Sequence, residues 1–141
     1  MRYLAIDYGT KRTGLAICDP TETIVSPLAV IRSEKGLLEK ISEVISSENV
    51  GAVVLGLPLN MDNSQGPQAK LVLKFAEKLR KSLRIPVHLQ DERLSSFGAQ
   101  EKLLSADLRK SKVVERLDAV SAAEILDAFL EQKRPGKTDE K

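Results

Sequence analysis

The chain has no tryptophan, one cysteine (Cys18) and one histidine (His88) among its 141 residues. A single cysteine forms no disulfide within the chain, which argues against an oxidising, secreted scaffold. A structural zinc site takes about four Cys and His ligands, and only these two residues exist. A Ser-His-Asp or Cys-His triad would have to use His88. That residue sits between Val87 and Leu89 in an apolar run, where an ordinary strand position is the plainer reading. Aromatic residues make up 4% of the chain, so base stacking on a tyrosine or tryptophan platform is not the obvious binding mode. Nothing approaches the roughly 18 apolar residues of a membrane span. The N-terminal apolar stretch meets Asp7 at once, unlike a signal peptide. A soluble protein of the reducing cytoplasm is expected. An excess of one charge is also lacking, since 22 Lys+Arg against 20 Asp+Glu leave +2. Chemistry is left to carboxylates, hydroxyls, lysines and arginines.

A chain of this length suits one domain. Residues 1–132 are expected to form it, followed by a charged, disordered tail over 133–141 that contains Pro135 and Gly136. Five segments read as strands. Residues 2–7 and 13–18 flank a short loop with Gly9 and suit a hairpin. Residues 24–31 carry Pro27, which points to an edge or bulged strand. The short apolar runs 52–55 and 86–89 suit strands buried on both faces. Leu37, Leu38, Ile41, Val44 and Ile45 keep helical spacing, as do Leu71, Val72, Phe75, Leu79 and Leu83 after Pro67. A further helix is expected to start near Ser95 or Ser96, and a last one to run over 113–131. The order β-β-β-α-β-α-β-α-α predicts an α/β fold. Strands 1–3 would form an antiparallel meander, strands 4 and 5 would add in parallel, and helices would flank the mixed sheet.

Three acidic features stand out. Asp7 ends a buried-looking strand, where a carboxylate is costly unless paired or bound to a cation. A turn-forming Asp in a hairpin is the plainer alternative. Asp118 lies on a helical stripe with Val114, Ala122, Ile125 and Phe129, facing the core near the expected helix start. An acid favoured there by the helix dipole would look the same. Asp91-Glu92-Arg93 follows the fifth strand, where sites gather beyond the carboxyl ends of parallel strands. Alternation groups Asp91 with Val87 and Leu89, and Glu92 with His88 and Gln90. It does not say which face carries a site, and a solvated turn with a local Glu–Arg pair is the plainer reading.

Carboxylates from separate elements, without His or Cys, are hard oxygen ligands suited to Mg²⁺ or Mn²⁺. Two such ions can activate a water and stabilise the leaving oxygen of a phosphodiester. Arg109, Lys110, Lys112 and Arg116, offset by Glu115, form a basic run just before Asp118. Arg80, Lys81 and Arg84 form another, for which a solvated helix face is the plainer reading. A locally basic surface on a nearly neutral chain suits a phosphate backbone. The loop Gly56-Leu57-Pro58-Leu59-Asn60-Met61-Asp62 follows the fourth strand, and Asn60 could bond a phosphate or a neighbouring loop. Cys18 reads as a small core residue and Met61 as loop packing.

Four motifs occur in order: Asp7-Tyr8-Gly9-Thr10-Lys11-Arg12-Thr13-Gly14, the Gly56–Asp62 loop, Asp91-Glu92-Arg93-Leu94-Ser95-Ser96, and Leu117-Asp118-Ala119-Val120-Ser121-Ala122-Ala123. Together they resemble the YqgF family, bacterial Holliday-junction resolvases and pre-16S rRNA nucleases, over residues 2–132. The resemblance implies an RNase H-like fold and a metal-dependent nuclease with Asp7, Glu92 and Asp118 as catalytic ligands of one or two Mg²⁺ or Mn²⁺ ions. It favours Glu92 over Asp91. Lys11, Arg93, Ser95, Lys112 and Arg116 would contact substrate phosphates. The implied function is hydrolysis of structured nucleic acid, foremost 5′-end processing of pre-16S rRNA in ribosome biogenesis, with resolution of branched DNA as the alternative. A non-catalytic nucleic-acid-binding regulator on the same fold is the rival of another class. Asp7-Tyr8-Gly9-Thr10 also resembles the phosphate loop of sugar kinases and actin-like ATPases, which need two such domains. Symmetric junction cleavage would call for a homodimer with two active sites. No membrane partner is expected.

Overall fold

The strand Tyr3–Tyr8 (β1) starts with four buried residues, Tyr3 to Ile6, so both of its faces must be covered. The structure, a computed structural model, describes residues 1–60, 62–92 and 110–133, with the backbone alone for 110–118. After β1 come β2 (Arg12–Cys18), β3 (Val25–Arg32), α1 (Leu37–Ser47), β4 (Ala52–Leu57), α2 (Pro67–Ser82), β5 (Val87–Asp91) and α3 (Lys110–Lys133). The sheet order is β3-β2-β1-β4-β5. β1 and β3 run antiparallel to β2, whereas β4 runs parallel to β1 and β5 parallel to β4. This is the mixed sheet expected from the element order.

The two faces differ in the size of their side chains. Leu4, Ile6, Leu15, Ile17, Val53 and Leu55 pack against α1 and α2. On the other face Tyr3, Ala5, Ala16, Cys18, Ala52 and Val54 meet Ala122, Ile125, Leu126 and Leu130 of α3. The alanines let α3 lie close to the sheet. Contact is tightest at Gly56, where a Cβ would stand 2.5 Å from Ile125 Cδ1. Cys18 is buried and bonded, its sulfur accepting the Tyr3 N–H at 3.3 Å.

Several boundaries differ from the sequence expectation. β3 is an edge strand and is also bulged: Leu15 pairs Ala29 while Ala16 pairs Pro27, so Leu28 is extra. β4 continues through Gly56 and Leu57, and β5 through Gln90 and Asp91, because the two strands pair there as Gly56–Gln90 and Leu57–Asp91. A glycine and two polar residues hid this extension, which tertiary pairing imposes. α2 starts at Pro67, as expected. α3 starts at Lys110 and ends at Lys133, which the sequence suggested would open the tail. The Lys133 ammonium instead bonds Glu22 at 3.1 Å. The helix expected near Ser95 or Ser96, Met61, and residues 134–141 lie outside the described residues. No described helix is long and apolar enough to cross a membrane.

Candidate active site

Asp7 is the next-to-last residue of β1. Strand alternation puts it on the α3 face with Tyr3 and Ala5, while its neighbour Tyr8 stacks on Phe75 of α2 at 4.2 Å on the opposite face. The α2 side also holds the strand end, since the Gln68 side chain donates to the Tyr8 carbonyl at 3.0 Å. Glycine closes the hairpin for a steric reason: a Cβ at Gly9 would stand 2.6 Å from the Arg12 carbonyl oxygen.

Glu92 follows directly on β5. His88, two steps earlier in the same alternation, lies 5.3 Å ring to ring from Phe129 of α3. Glu92 therefore belongs to the α3 face as well. β1, β4 and β5 are parallel and end at one edge of the sheet, so Asp7 and Glu92 both stand at carboxyl ends. Between them lies β4, and two strand spacings are about 9.6 Å. The residue of β4 in that gap is Gly56, level with Asp7 on one side and Gln90 on the other. Without a side chain there, the two carboxyls meet above β4 and hydrogen-bond each other. The Glu92 carboxyl carbon would be 3.3 Å from a Cβ at Gly56.

Burial and this contact dominate the electrostatics. Burial raises the Asp7 carboxyl above its ordinary range, partly offset by the hydrogen bond with Glu92. Glu92 is pushed up to about 9, first by burial, then by the hydrogen bond with Asp7 and the charges of Asp7 and Asp91. Two carboxyls this close do not both ionise without a compensating cation, so they share a proton. A pair of oxygen ligands that must shed a proton to hold full charge is the donor set of a hard divalent cation.

Asp118 lies in α3, one turn before the buried Ala122. The helix starts eight residues earlier, at Lys110, and has no acid in its first turn. The expectation that Asp118 sits near the helix start is thereby corrected, and with it goes the dipole explanation, which acts only within that turn. Its side chain, like those of Lys112 and Arg116 on the same helix, lies outside the described residues, as do Arg93 and Ser95 entirely. Among the described residues no group of three or more His, Cys, Asp and Glu side chains gathers. Lys11 is exposed in the β1–β2 hairpin, where its carbonyl accepts the Ser33 N–H at 2.9 Å. Asn60 closes its own loop, its side chain donating to Ser64 Oγ at 2.9 Å. In the Arg80 cluster, Arg80 donates to the Val87 carbonyl at 2.9 Å and braces β5. Sequence reasoning took Gly56 as a loop former. Its place between the two acids is the feature missed, and a glycine inside a strand was the available signal.

Sheet order, parallel strand ends and paired carboxyls define an RNase H-like α/β protein with an acidic site. Solved structures share that fold. Thermus thermophilus RuvC in complex with a Holliday junction matches with a TM-score of 0.59 at 17% identity, over 94% of this chain and 96% of that one. The fowlpox virus Holliday junction resolvase matches with a TM-score of 0.57 at 14% identity, over 95% and 100%. The chain belongs to the RuvX Holliday junction resolvase family, whose model matches residues 1–132. Relatives carrying the curated name "Putative pre-16S rRNA nuclease" include one from Myxococcus xanthus, 42% identical over 99% of this chain and 93% of its own length. Another, from Bacillus cereus, is 39% identical over 94% of this chain and 100% of its own length.

Proposed function

We propose that this protein is a nuclease that hydrolyses phosphodiester bonds of structured nucleic acid, with the 5′ end of pre-16S rRNA as its foremost substrate. The observation that carries this reading is the hydrogen-bonded Asp7–Glu92 carboxyl pair at the carboxyl ends of β1 and β5. Its relatives' names point to the ribosomal precursor. The family model's description supports a second reading, resolution of four-way DNA junctions.

Asp7, Glu92 and Asp118 would hold the catalytic cations, Mg²⁺ or Mn²⁺ and two in number. When bound, these ions supply positive charge at the phosphoryl oxygens and acidify the attacking water. Asp7 comes from the central strand and so has the most rigid support. Glu92 would have to give up its proton to join Asp7 in holding that charge. Lys11, Arg93, Ser95, Lys112 and Arg116 would hold the substrate backbone by its phosphates. The protein would work in the cytoplasm, and symmetric junction cleavage would require two copies.

A cleavage panel tests the assignment. Precursor 16S rRNA, single-stranded RNA, duplex DNA and a four-way junction are each incubated with Mg²⁺, Mn²⁺ or EDTA. Cation-dependent cleavage of the precursor at its 5′ end is expected. Preferential cleavage of the junction would move the assignment to the second reading. Binding in EDTA with no cleavage under any condition would contradict both, leaving a binding protein on a nuclease fold.

A further inference from the structure

On the side of the sheet opposite Asp7 and Glu92, α2 turns a row of lysines outward. Its positions Val72, Phe75, Ala76 and Leu79 are buried in the larger core. Lys70, Lys74, Lys78 and Lys81 recur at steps of four, four and three, which keeps them on one side of the helix, and all four are exposed. They span about 16 Å of helix. α2 carries five basic residues against one acid, Glu77, which borders the row. The fifth base, Arg80, donates to the Val87 carbonyl. Other helical segments have the opposite balance: α1 sets Glu39 and Glu43 against Lys40, and residues 119–133 of α3 set Glu124, Asp127 and Glu131 against Lys133. The row is also tied to the acidic end of the sheet. α2 joins β4 to the parallel β5, so it runs back against the strands and begins at their carboxyl ends. There Gln68 donates to the carbonyl of Tyr8, the neighbour of Asp7, and Phe75 stacks on the Tyr8 ring. Lys70 thus stands near the end of the sheet that holds the two carboxyls, and Lys81 towards the far end.

Four exposed lysines beside one acid give a positively charged ridge whose complement is a polyanion. Three features narrow its class. The apolar side of α2 is committed to the core, and Leu71 is its one exposed large apolar residue, so the helix has no apolar face to sink into a membrane surface. Its one aromatic residue, Phe75, is buried, so the bases of a single strand would find no stacking platform on the ridge. Lysines are point charges on flexible stems, which follow a phosphate backbone without reading bases. We propose that Lys70, Lys74, Lys78 and Lys81 of α2 bind the phosphate backbone of a double-stranded segment of the substrate, apart from the segment that is cleaved. The ridge rests on the nuclease reading for the identity of its ligand, while its geometry comes from the spacing and placement of α2. A stem held along α2 would send one strand round the carboxyl edge of the sheet, past Tyr8, to Asp7 and Glu92. Structured nucleic acid would thus be selected by holding its duplex on one side of the sheet and cutting on the other.

Binding is measured in EDTA, so that no step depends on a bound cation. The probes are a fluorescent RNA stem-loop with a single-stranded tail, the same stem-loop in DNA, and the tail alone, each titrated across a series of KCl concentrations. The variants are Lys74→Gln combined with Lys78→Gln, Lys74→Arg combined with Lys78→Arg, and Lys40→Gln on α1 as a control. The double glutamine variant should weaken binding of both stem-loops roughly tenfold at low salt and lower the slope of log affinity against log salt by about 2. Its binding of the tail alone should equal that of wild type. The double arginine variant keeps the charge and should keep the slope, and Lys40→Gln should match wild type throughout. The double glutamine variant should melt no lower than wild type, because glutamine and lysine have similar helix propensity; lost affinity is then not lost fold. Affinity and slope equal to wild type on both stem-loops would overturn the ridge, as would an equal loss on the tail alone or no stem binding by the wild type. The nuclease reading fails separately, by persistence of cleavage in Asp7→Asn, and that result would leave the binding slopes as they are.

Discussion

Glu92 is the residue whose state depends most on its surroundings. Its carboxyl has an ordinary value of 4.5 and is pushed up to about 9 in the folded chain. Between those values the folded protein keeps a proton that the unfolded chain releases. Without a bound cation, stability is therefore fully present below about 4.5 and falls as pH rises towards 9. Glu92→Gln keeps the size of the side chain and removes the titration. It should raise the melting temperature of the metal-free protein at pH 8 by roughly 4 °C or more, and leave it little changed at pH 5. Thermal melts across this range check it, and parallel wild-type and variant curves would show that Glu92 is not the titrating group. A second consequence concerns cation binding. Because the Asp7–Glu92 pair shares a proton, Mn²⁺ binding at pH 7 should release about one proton. Calorimetry in two buffers of different ionisation enthalpy reads that number directly, and equal apparent enthalpies in the two buffers would contradict it.

At the scale of elements, the site depends on how closely α3 approaches β4. A methyl group at position 56 would meet Ile125 Cδ1 at 2.5 Å and the Glu92 carboxyl carbon at 3.3 Å. Gly56→Ala should cost about 1–3 kcal/mol and reduce cleavage as well, because the same methyl displaces both the helix and the acid. Adding Ile125→Val, which removes the clashing Cδ1, should recover most of the stability. Denaturant melts of the single and double variants check this; no recovery in the double variant would place the conflict elsewhere.

Much at this scale was legible in the sequence. Pro27 gave away an edge strand with a bulge, and the apolar runs of β1 and β4 announced strands covered on both faces. Three things were hidden. The extension of β5 through Gln90 and Asp91 is enforced by pairing with β4, and no local propensity signals it. Alternation put Glu92 with His88 and Gln90, but the α3 side was identified only by the contact of His88 with Phe129. The long start of α3 was masked by Lys110 and Lys112, which break no helical rule yet add no apolar stripe.

At the scale of the whole molecule, the nearly neutral charge of +2 conceals a division. Half-buried Asp7 and Glu92 meet at one end of the sheet, and Arg12 and Arg32 stand opposite each other at the β2–β3 corner. The small side chains of the α3 face bring the helix down over the sheet, whereas the large ones on the opposite face make the bulk of the core. The acidic pair thus lies on the face opposite the larger core, and a change at Asp7 can be made without disturbing that core. The nuclease reading requires Asp7 to be part of a catalytic carboxylate centre. The most direct measurement is cleavage of precursor 16S rRNA and junction DNA by Asp7→Asn in Mg²⁺ and Mn²⁺, beside melting temperature and substrate binding. Cleavage at background with fold and binding retained is expected. Cleavage at the wild-type rate in a folded Asp7→Asn protein would contradict it.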